Sequence, residues 1–145
     1  MKVTTHFDIK ELVHEEFIIE HGEEKMIKLF KSYAPNTLIG LETLREWVDE
    51  PITINDYKYG GGFINSGLRH PSDHLGSELS AHRFFLAMDC KFKGRSIKDI
   101  QEDILMNAHM HQNIVRMEDY RDTPTWLHVQ FGLREPNQQI NVFRP

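Results

Sequence analysis

The sequence predicts an α+β fold in which helices pack on a small, mostly antiparallel sheet. Two patterns carry this prediction: apolar residues at helical spacing dominate the first third of the chain, and alternating apolar residues dominate the last third. No repeat, low-complexity tract or linker divides the 145 residues. A chain of this length forms one domain, residues 1–145, and can bury a hydrophobic core.

Three helices are predicted in the first third. Asp8 and Glu11 have the spacing of a capping box, and the first helix is expected to run from there to a stop at Gly22. A second helix is expected from about residue 23 to residue 33. Pro35 separates it from a third, whose apolar residues recur near 3.6-residue spacing until the next proline.

Shorter patterns predict the middle of the chain. Residues 52–54 alternate apolar and polar side chains, as a half-buried strand should, and a long loop punctuated by Pro71 and Gly76 follows. Another strand is expected within residues 84–92. Ser96 is the expected cap of a fourth helix.

The last third predicts the end of this helix and two further strands. His109 and His111 fall where the helical pattern ends, so we interpret them as a solvated helix end rather than as metal ligands. Residues 113–120 and 125–133 then alternate as two strands joined by a turn. These strands complete the sheet of the predicted α+β fold.

Composition excludes several classes of protein. A charged fraction of 27% and a hydrophobic fraction of 39% are those of a folded globular chain, and a net charge of −5 without any basic run argues against binding to nucleic acid. The single cysteine, Cys90, cannot form an intrachain disulfide. The N-terminal residues contain no apolar stretch, so we expect neither a signal peptide nor a membrane-spanning helix.

Three residues in the second half of the chain form a candidate zinc site. His82 and Asp89 lie seven positions apart, which suits two neighbouring segments that converge on one ion, and His128 follows within a predicted strand. Catalytic zinc takes three ligands of these types and keeps a fourth position for water. Upstream, Arg69 adds a cation that can face an anionic substrate or a developing oxyanion.

The order of these residues resembles a known family, the zinc D-alanyl-D-alanine carboxypeptidases and L-alanyl-D-glutamate peptidases, whose metal site is shared with the hedgehog signalling domain. The family pattern reads Ser-Gly-Tyr-Arg, then Ser-x-His-x-x-Gly-x-Ala-x-Asp, then an aromatic-x-His-Val segment. The matching residues are Ser66, Gly67, Arg69, Ser80, His82, Ala87, Asp89, Trp126, His128 and Val129. The Tyr-Lys-Tyr-Gly-Gly-Gly-Phe stretch at residues 57–63 is similar to an insertion carried by phage and prophage members.

The resemblance implies a zinc-dependent hydrolase that cleaves peptidoglycan stem peptides. It implies zinc as the cofactor, held by the three residues named above, and a substrate-facing role for Arg69, Ser80 and Trp126. Trp126 equally suits packing beside the metal. The partner is then a wall peptide rather than a nucleic acid or a membrane. Because no signal peptide is expected, an endolysin-like phage protein of this kind is made in the cytoplasm and reaches the wall by lysis, through a holin, or with virion proteins.

Two departures from the family pattern leave an alternative open. Phe85 stands where the family has glycine, and its large ring is expected to narrow the site or shift the backbone. Thr125 stands where many members carry the acidic general base, so Asp122 is the substitute candidate for that role, or only a turn residue. The alternative is a non-catalytic binding or virion module that keeps zinc for stability. A scaffold without metal is the third reading.

Overall fold

The computed structural model describes all 145 residues and confirms the α+β class, with five helices and one four-stranded sheet. The helices are α1 (Ile9–Leu12), α2 (Glu15–His21), α3 (Glu23–Tyr33), α4 (Pro35–Val48) and α5 (Ile97–Met106). The strands are β1 (Ala87–Cys90), β2 (Ile114–Glu118), β3 (Leu127–Phe131) and β4 (Asn141–Phe143). The strand order is β1-β3-β2-β4, and only β4 runs parallel to its neighbour, β2.

The prediction of one continuous first helix is wrong, because the chain leaves the helical conformation at Val13. The capping box of Asp8 and Glu11 forms as expected and begins α1. Val13 is extended, with φ −126° and ψ 153°, and it forms a parallel bridge with Leu68. Its carbonyl also accepts a hydrogen bond from Asn55 Nδ2 at 3.1 Å. These long-range bonds replace the helical ones and fix the loop around residue 68 to the helical layer.

The next two helices match their predicted spans. α3 turns Met26, Ile27 and Phe30 into the core, and α4 begins with Pro35 at its first turn. α4 packs against β3 at Gly40, where an added Cβ would lie 2.5 Å from the Phe131 ring. No helix in the chain is both long enough and apolar enough to cross a membrane.

The apolar face of the sheet forms part of the core. Met88, Met117 and Val129 lie side by side on three strands and are completely buried. Because side chains alternate along a strand, the residues next to them point to the opposite face. That opposite face carries the polar residues of the candidate site.

Two local predictions are wrong, and one strand was not predicted. Residues 52–54 form only a single bridge, Thr53 with Lys91, and do not join the sheet. His111 is buried against Trp47 rather than solvated at a helix end, whereas His109 is exposed as expected. The short strand β4 was not predicted, because three residues are too few to show an alternating pattern.

Candidate metal centre and its cleft

His82, Asp89 and His128 converge on one point. His82 lies in a single 3₁₀ turn that spans Ala81–Phe84, whereas the other two are register partners on β1 and β3. His82 Nε2 lies 3.3 Å from His128 Nδ1 and 3.3 Å from Asp89 Oδ1, and the distance from His128 Nδ1 to Asp89 Oδ1 is 2.8 Å. The structure therefore brings the three predicted ligands together as a triangle of nitrogen and oxygen atoms.

The dimensions of this triangle suit zinc. Ligand atoms at 2.0–2.2 Å from a tetrahedral ion lie about 3.3 Å from one another, and two of the three edges have this length. The third edge is shorter, as a histidine hydrogen-bonded to a carboxylate would be. A small relaxation of this one edge would accommodate the ion.

The other nitrogen of the His82 ring is held by the backbone. Nδ1 lies 3.0 Å from the carbonyl oxygen of Gly67, so it donates there and leaves Nε2 with a free lone pair directed at the triangle. The Gly67 backbone lies so close to α1 that an added Cβ would be 2.1 Å from the carbonyl oxygen of Leu12. This close approach requires glycine and explains its place in the Ser-Gly-x-Arg segment.

His128 has a corresponding partner on its own strand. Its Nε2 lies 3.2 Å from Nε2 of Gln130, whose side-chain amide N–H donates to it. His128 Nδ1 then carries the ring proton and donates to Asp89 Oδ1 at 2.8 Å. Binding of a metal ion at the triangle would displace this proton.

The carboxylate of Asp89 is ionised despite its surroundings. Burial opposes its ionisation, but the interactions with His128 and His82 outweigh that effect and hold the pKa of Asp89 well below its usual range. Arg69 Nη2 lies 3.7 Å from the second carboxylate oxygen. Burial lowers the pKa of the Arg69 guanidinium, which nevertheless keeps its charge.

A half-buried lysine fixes the backbone around the site. Lys91 Nζ donates to Ser66 Oγ at 2.7 Å and to the carbonyl oxygens of Ile54 and Asp89 at 2.8 and 3.1 Å. The Asp89 amide also donates to the Ser66 carbonyl oxygen at 2.7 Å. Lys91 therefore joins the Ser-Gly-x-Arg loop to the strand that carries Asp89, a role that the sequence pattern did not reveal.

The triangle lies in a cleft of about 590 Å³. Arg69, Ser80 and Trp126, the residues expected to face the substrate, all line this cleft. Ser80 also caps the turn that carries His82, since its Oγ accepts from the His82 amide at 3.4 Å. All the predicted site residues except one therefore border the same open space.

The exception is Asp122, the predicted general base. It does not line the cleft, and its two carboxylate oxygens accept hydrogen bonds from Arg144 Nε and Nη2, each at 2.9 Å. The hydrogen bond from Arg144 lowers the pKa of Asp122, which further weakens it as a base. Thr125 is exposed at the same turn and supplies no acid either.

Glu118 is the acidic side chain that borders the cleft besides Asp89. The antiparallel register pairs Met117 with Val129, so Glu118, the next residue, comes opposite His128 on the polar face of the sheet. Sequence reasoning missed Glu118 because its position depends on this register. Only the alternation of polar residues along β2 hinted at the face on which it lies.

The expectation that Phe85 narrows the site is wrong. Its ring packs edge-on against Phe30 of α3, at 4.9 Å between centroids, and it does not line the cleft. Its backbone, however, has a φ of +63°, a left-handed conformation that glycine adopts freely and that costs other residues about 1 kcal/mol. Glycine would relieve this strain, and in this chain the packing of the Phe85 ring against Phe30 offsets it.

Comparison with known proteins adds no assignment. No family model matches the chain, and neither a curated protein nor a solved structure matches it.

Proposed function

We propose that this protein is a zinc-dependent peptidase that cleaves short peptides of the peptidoglycan stem, of the D-Ala-D-Ala carboxypeptidase or L-Ala-D-Glu endopeptidase type. The observation that supports it most strongly is the triangle of His82, Asp89 and His128 in an open cleft. A site that only stabilised the fold would favour a fourth protein ligand, since structural zinc is usually enclosed by four. No fourth ligand-type side chain joins these three residues at the triangle.

The side chains around the triangle supply the remaining requirements of hydrolysis. Zinc held by these ligands supplies Lewis-acid activation of a water molecule and of the scissile carbonyl. Glu118 accepts a proton from the attacking water and returns it to the leaving amine as the C–N bond breaks. Arg69 donates to the oxyanion or to a substrate carboxylate. Within the protein only its Nε donates a hydrogen bond, to the Asn65 carbonyl, and its Nη2 lies 3.7 Å from the Asp89 carboxylate.

The test is cleavage of defined stem peptides by protein loaded with one zinc ion per chain. Mass spectrometry of the products identifies the bond that is cut, and protein treated with a chelator and then reloaded with zinc serves as the control. We expect cleavage that is lost with the metal and restored with it. Absence of cleavage by protein that retains one zinc ion per chain would reject the peptidase.

A non-catalytic, zinc-stabilised binding module is the second candidate. The observation that favours it is the turn beside His128, where Thr125 is exposed and Asp122 is paired with Arg144. It predicts stoichiometric zinc and peptide binding without turnover. The same experiment therefore separates the two candidates.

A further inference from the structure

Arg116 is an arginine of the cleft whose side chain has no hydrogen-bond or ion-pair partner within the protein. It lies on β2 and borders the cleft, and its buried Nε atom has no hydrogen-bond partner. No carboxylate lies within ion-pairing distance of its guanidinium, although Glu118 is two residues further along the same strand face. The arginines that do form ion pairs are Arg69, Arg95, Arg121 and Arg144.

The guanidinium of Arg116 is held in place by an aromatic ring. Its central carbon lies 3.8 Å from the centroid of the Phe143 ring on β4. The same ring packs edge-on against His128, at 5.9 Å between centroids. Stacking of this kind orients the plane of a guanidinium and leaves its N–H groups free for a planar anion. Phe143 therefore connects the position of Arg116 to that of the metal ligand.

Arg116 and Arg69 lie on different sides of the triangle. Arg69 contacts Asp89 on β1, whereas Arg116 belongs to β2, and β3 separates the two strands. Strands two places apart in a sheet are about 10 Å apart. An extended peptide spans this distance with about three residues.

We infer that Arg116, stacked on Phe143, is a second anion-binding subsite that takes a carboxylate of the peptide substrate. This inference rests on the proposed function and specifies its substrate: a short acidic peptide whose carboxylate lies within about three residues of the bond at the metal. An arginine without a protein partner in an otherwise solvated cleft gains two charge-assisted hydrogen bonds from such a group. The carboxylate comes either from the C-terminus of the peptide or from an acidic side chain.

The experiment measures binding of four related dipeptides to the zinc-loaded protein by calorimetry. The probes are N-acetyl-L-alanyl-D-glutamate, its α-amide, its γ-amide and its diamide, and the integrity of each is checked by mass spectrometry. We expect the diacid to bind at least tenfold more tightly than the diamide, and Arg116→Gln to reduce this ratio at least fivefold. If only the α-amide loses affinity, the group that binds Arg116 is the terminal carboxylate. If only the γ-amide loses affinity, that group is the side-chain carboxylate.

The matched control is Arg45→Gln. Arg45 lies on α4, is likewise half-buried without a side-chain partner, and does not border the cleft. We expect it to leave the diacid-to-diamide ratio unchanged. Arg116→Lys, which keeps the charge but not the planar fork, should lower the ratio at least threefold and serves if Arg116→Gln does not fold.

Two results would overturn the inference. One is equal affinity of the wild-type protein for the diacid and the diamide, and the other is a wild-type ratio in a folded Arg116 variant. The outcome is separate from that of the peptidase proposal. If binding depends on Arg116 but no cleavage occurs, only the peptidase proposal is rejected. If cleavage occurs and the diacid-to-diamide ratio does not depend on Arg116, only the subsite is rejected.

Discussion

Two groups of side chains in this protein bring ligand-type atoms within 4.8 Å of one another, yet only one has the surroundings of a metal site. The first group is His82, Asp89 and His128, and the second is His6, Glu42 and Glu46. Both contain histidine and carboxylate side chains, which are suitable zinc ligands. The structure gives the two groups different surroundings.

The two groups differ in burial, in the hydrogen-bond partners of their imidazole rings and in their access to an open cleft. His82 is only 1% exposed and has its second ring nitrogen fixed by a backbone carbonyl. His6, by contrast, pairs directly with Glu42, and Glu46 is exposed on α4. Of the second group only His6 borders a pocket, of about 210 Å³. Closeness of ligand atoms is therefore a weak criterion, and oriented lone pairs beside an open cleft are a stronger one.

The largest effect is expected from removing a ligand of the first group. His128→Ala should abolish stoichiometric zinc binding, measured by elemental analysis of purified protein. With zinc at about a thousandfold above its dissociation constant, ligand binding adds about 4 kcal/mol of stability, so the thermal midpoint should fall by about 10 °C.

The matched control is His6→Ala, which should retain one zinc ion per chain. Zinc loss in the His6 variant with retention in the His128 variant would reverse the assignment of the two groups. Absence of zinc from wild-type protein, before any chelator, would reject a metal site at either.

The next largest effect is expected at Glu118. Glu118 and Asp122 differ, as the two groups do, in whether they border the open cleft. Glu118 borders the cleft opposite His128, whereas Asp122 is paired with Arg144 outside it. Glu118→Gln should lower kcat at least a hundredfold, about 2.7 kcal/mol, with zinc retained, because the amide cannot accept the proton. Asp122→Asn should change kcat less than threefold. Loss of activity in the Asp122 variant alone would return the role of base to the residue that the sequence first suggested.

A smaller effect is expected at Arg69, whose guanidinium lies beside Asp89 but leaves N–H groups free. Arg69→Ala should retain zinc and fold while lowering kcat/KM at least tenfold, about 1.4 kcal/mol of transition-state stabilisation. Arg95→Ala, which removes an ion pair with Asp103 outside the cleft, is the control. Wild-type kinetics in the Arg69 variant would exclude Arg69 from the reaction.

The sequence predicted which three side chains converge in the cleft, because the signals for them are local. Residue type and order mark His82, Asp89 and His128, and helical spacing marks α3 and α4. The other cleft residues depend on strand register instead: Glu118 faces His128 only because Met117 pairs with Val129. Register is set by the packing of the whole sheet, so a single strand does not reveal it.

Two further features also depend on long-range pairing and could not be predicted from local sequence. They are the interruption of the first predicted helix and the position of Phe143 near the end of the chain. The interruption at Val13 comes from a bridge to Leu68, fifty-five positions later, and no local pattern announces it. Phe143 contributes to the cleft through a parallel pairing of β4 with β2, which three residues cannot signal. These positions are specified by long-range contacts rather than by propensity.

The smallest effect, on stability, is expected at a buried histidine whose ring has no hydrogen-bond partner. His111 is 2% exposed, much like His82, but neither of its ring nitrogens has a hydrogen-bond partner, and its ring packs edge-on against Trp47. Burial lowers the pKa of His111 below its ordinary value of 6.5. Between these two pKa values the unfolded chain therefore binds more protons than the folded one. Titration of His111 thus lowers the free energy of unfolding as pH falls through 6.5 and does not change it above that pH.

His111→Phe should raise the free energy of unfolding by about 1 kcal/mol at pH 7.5 and reduce its decline towards pH 5, both measured by urea denaturation. His109→Phe, at an exposed position of the same turn, should leave the pH dependence unchanged, and an equal decline in the wild type and the His111 variant would show that His111 has a partner in solution.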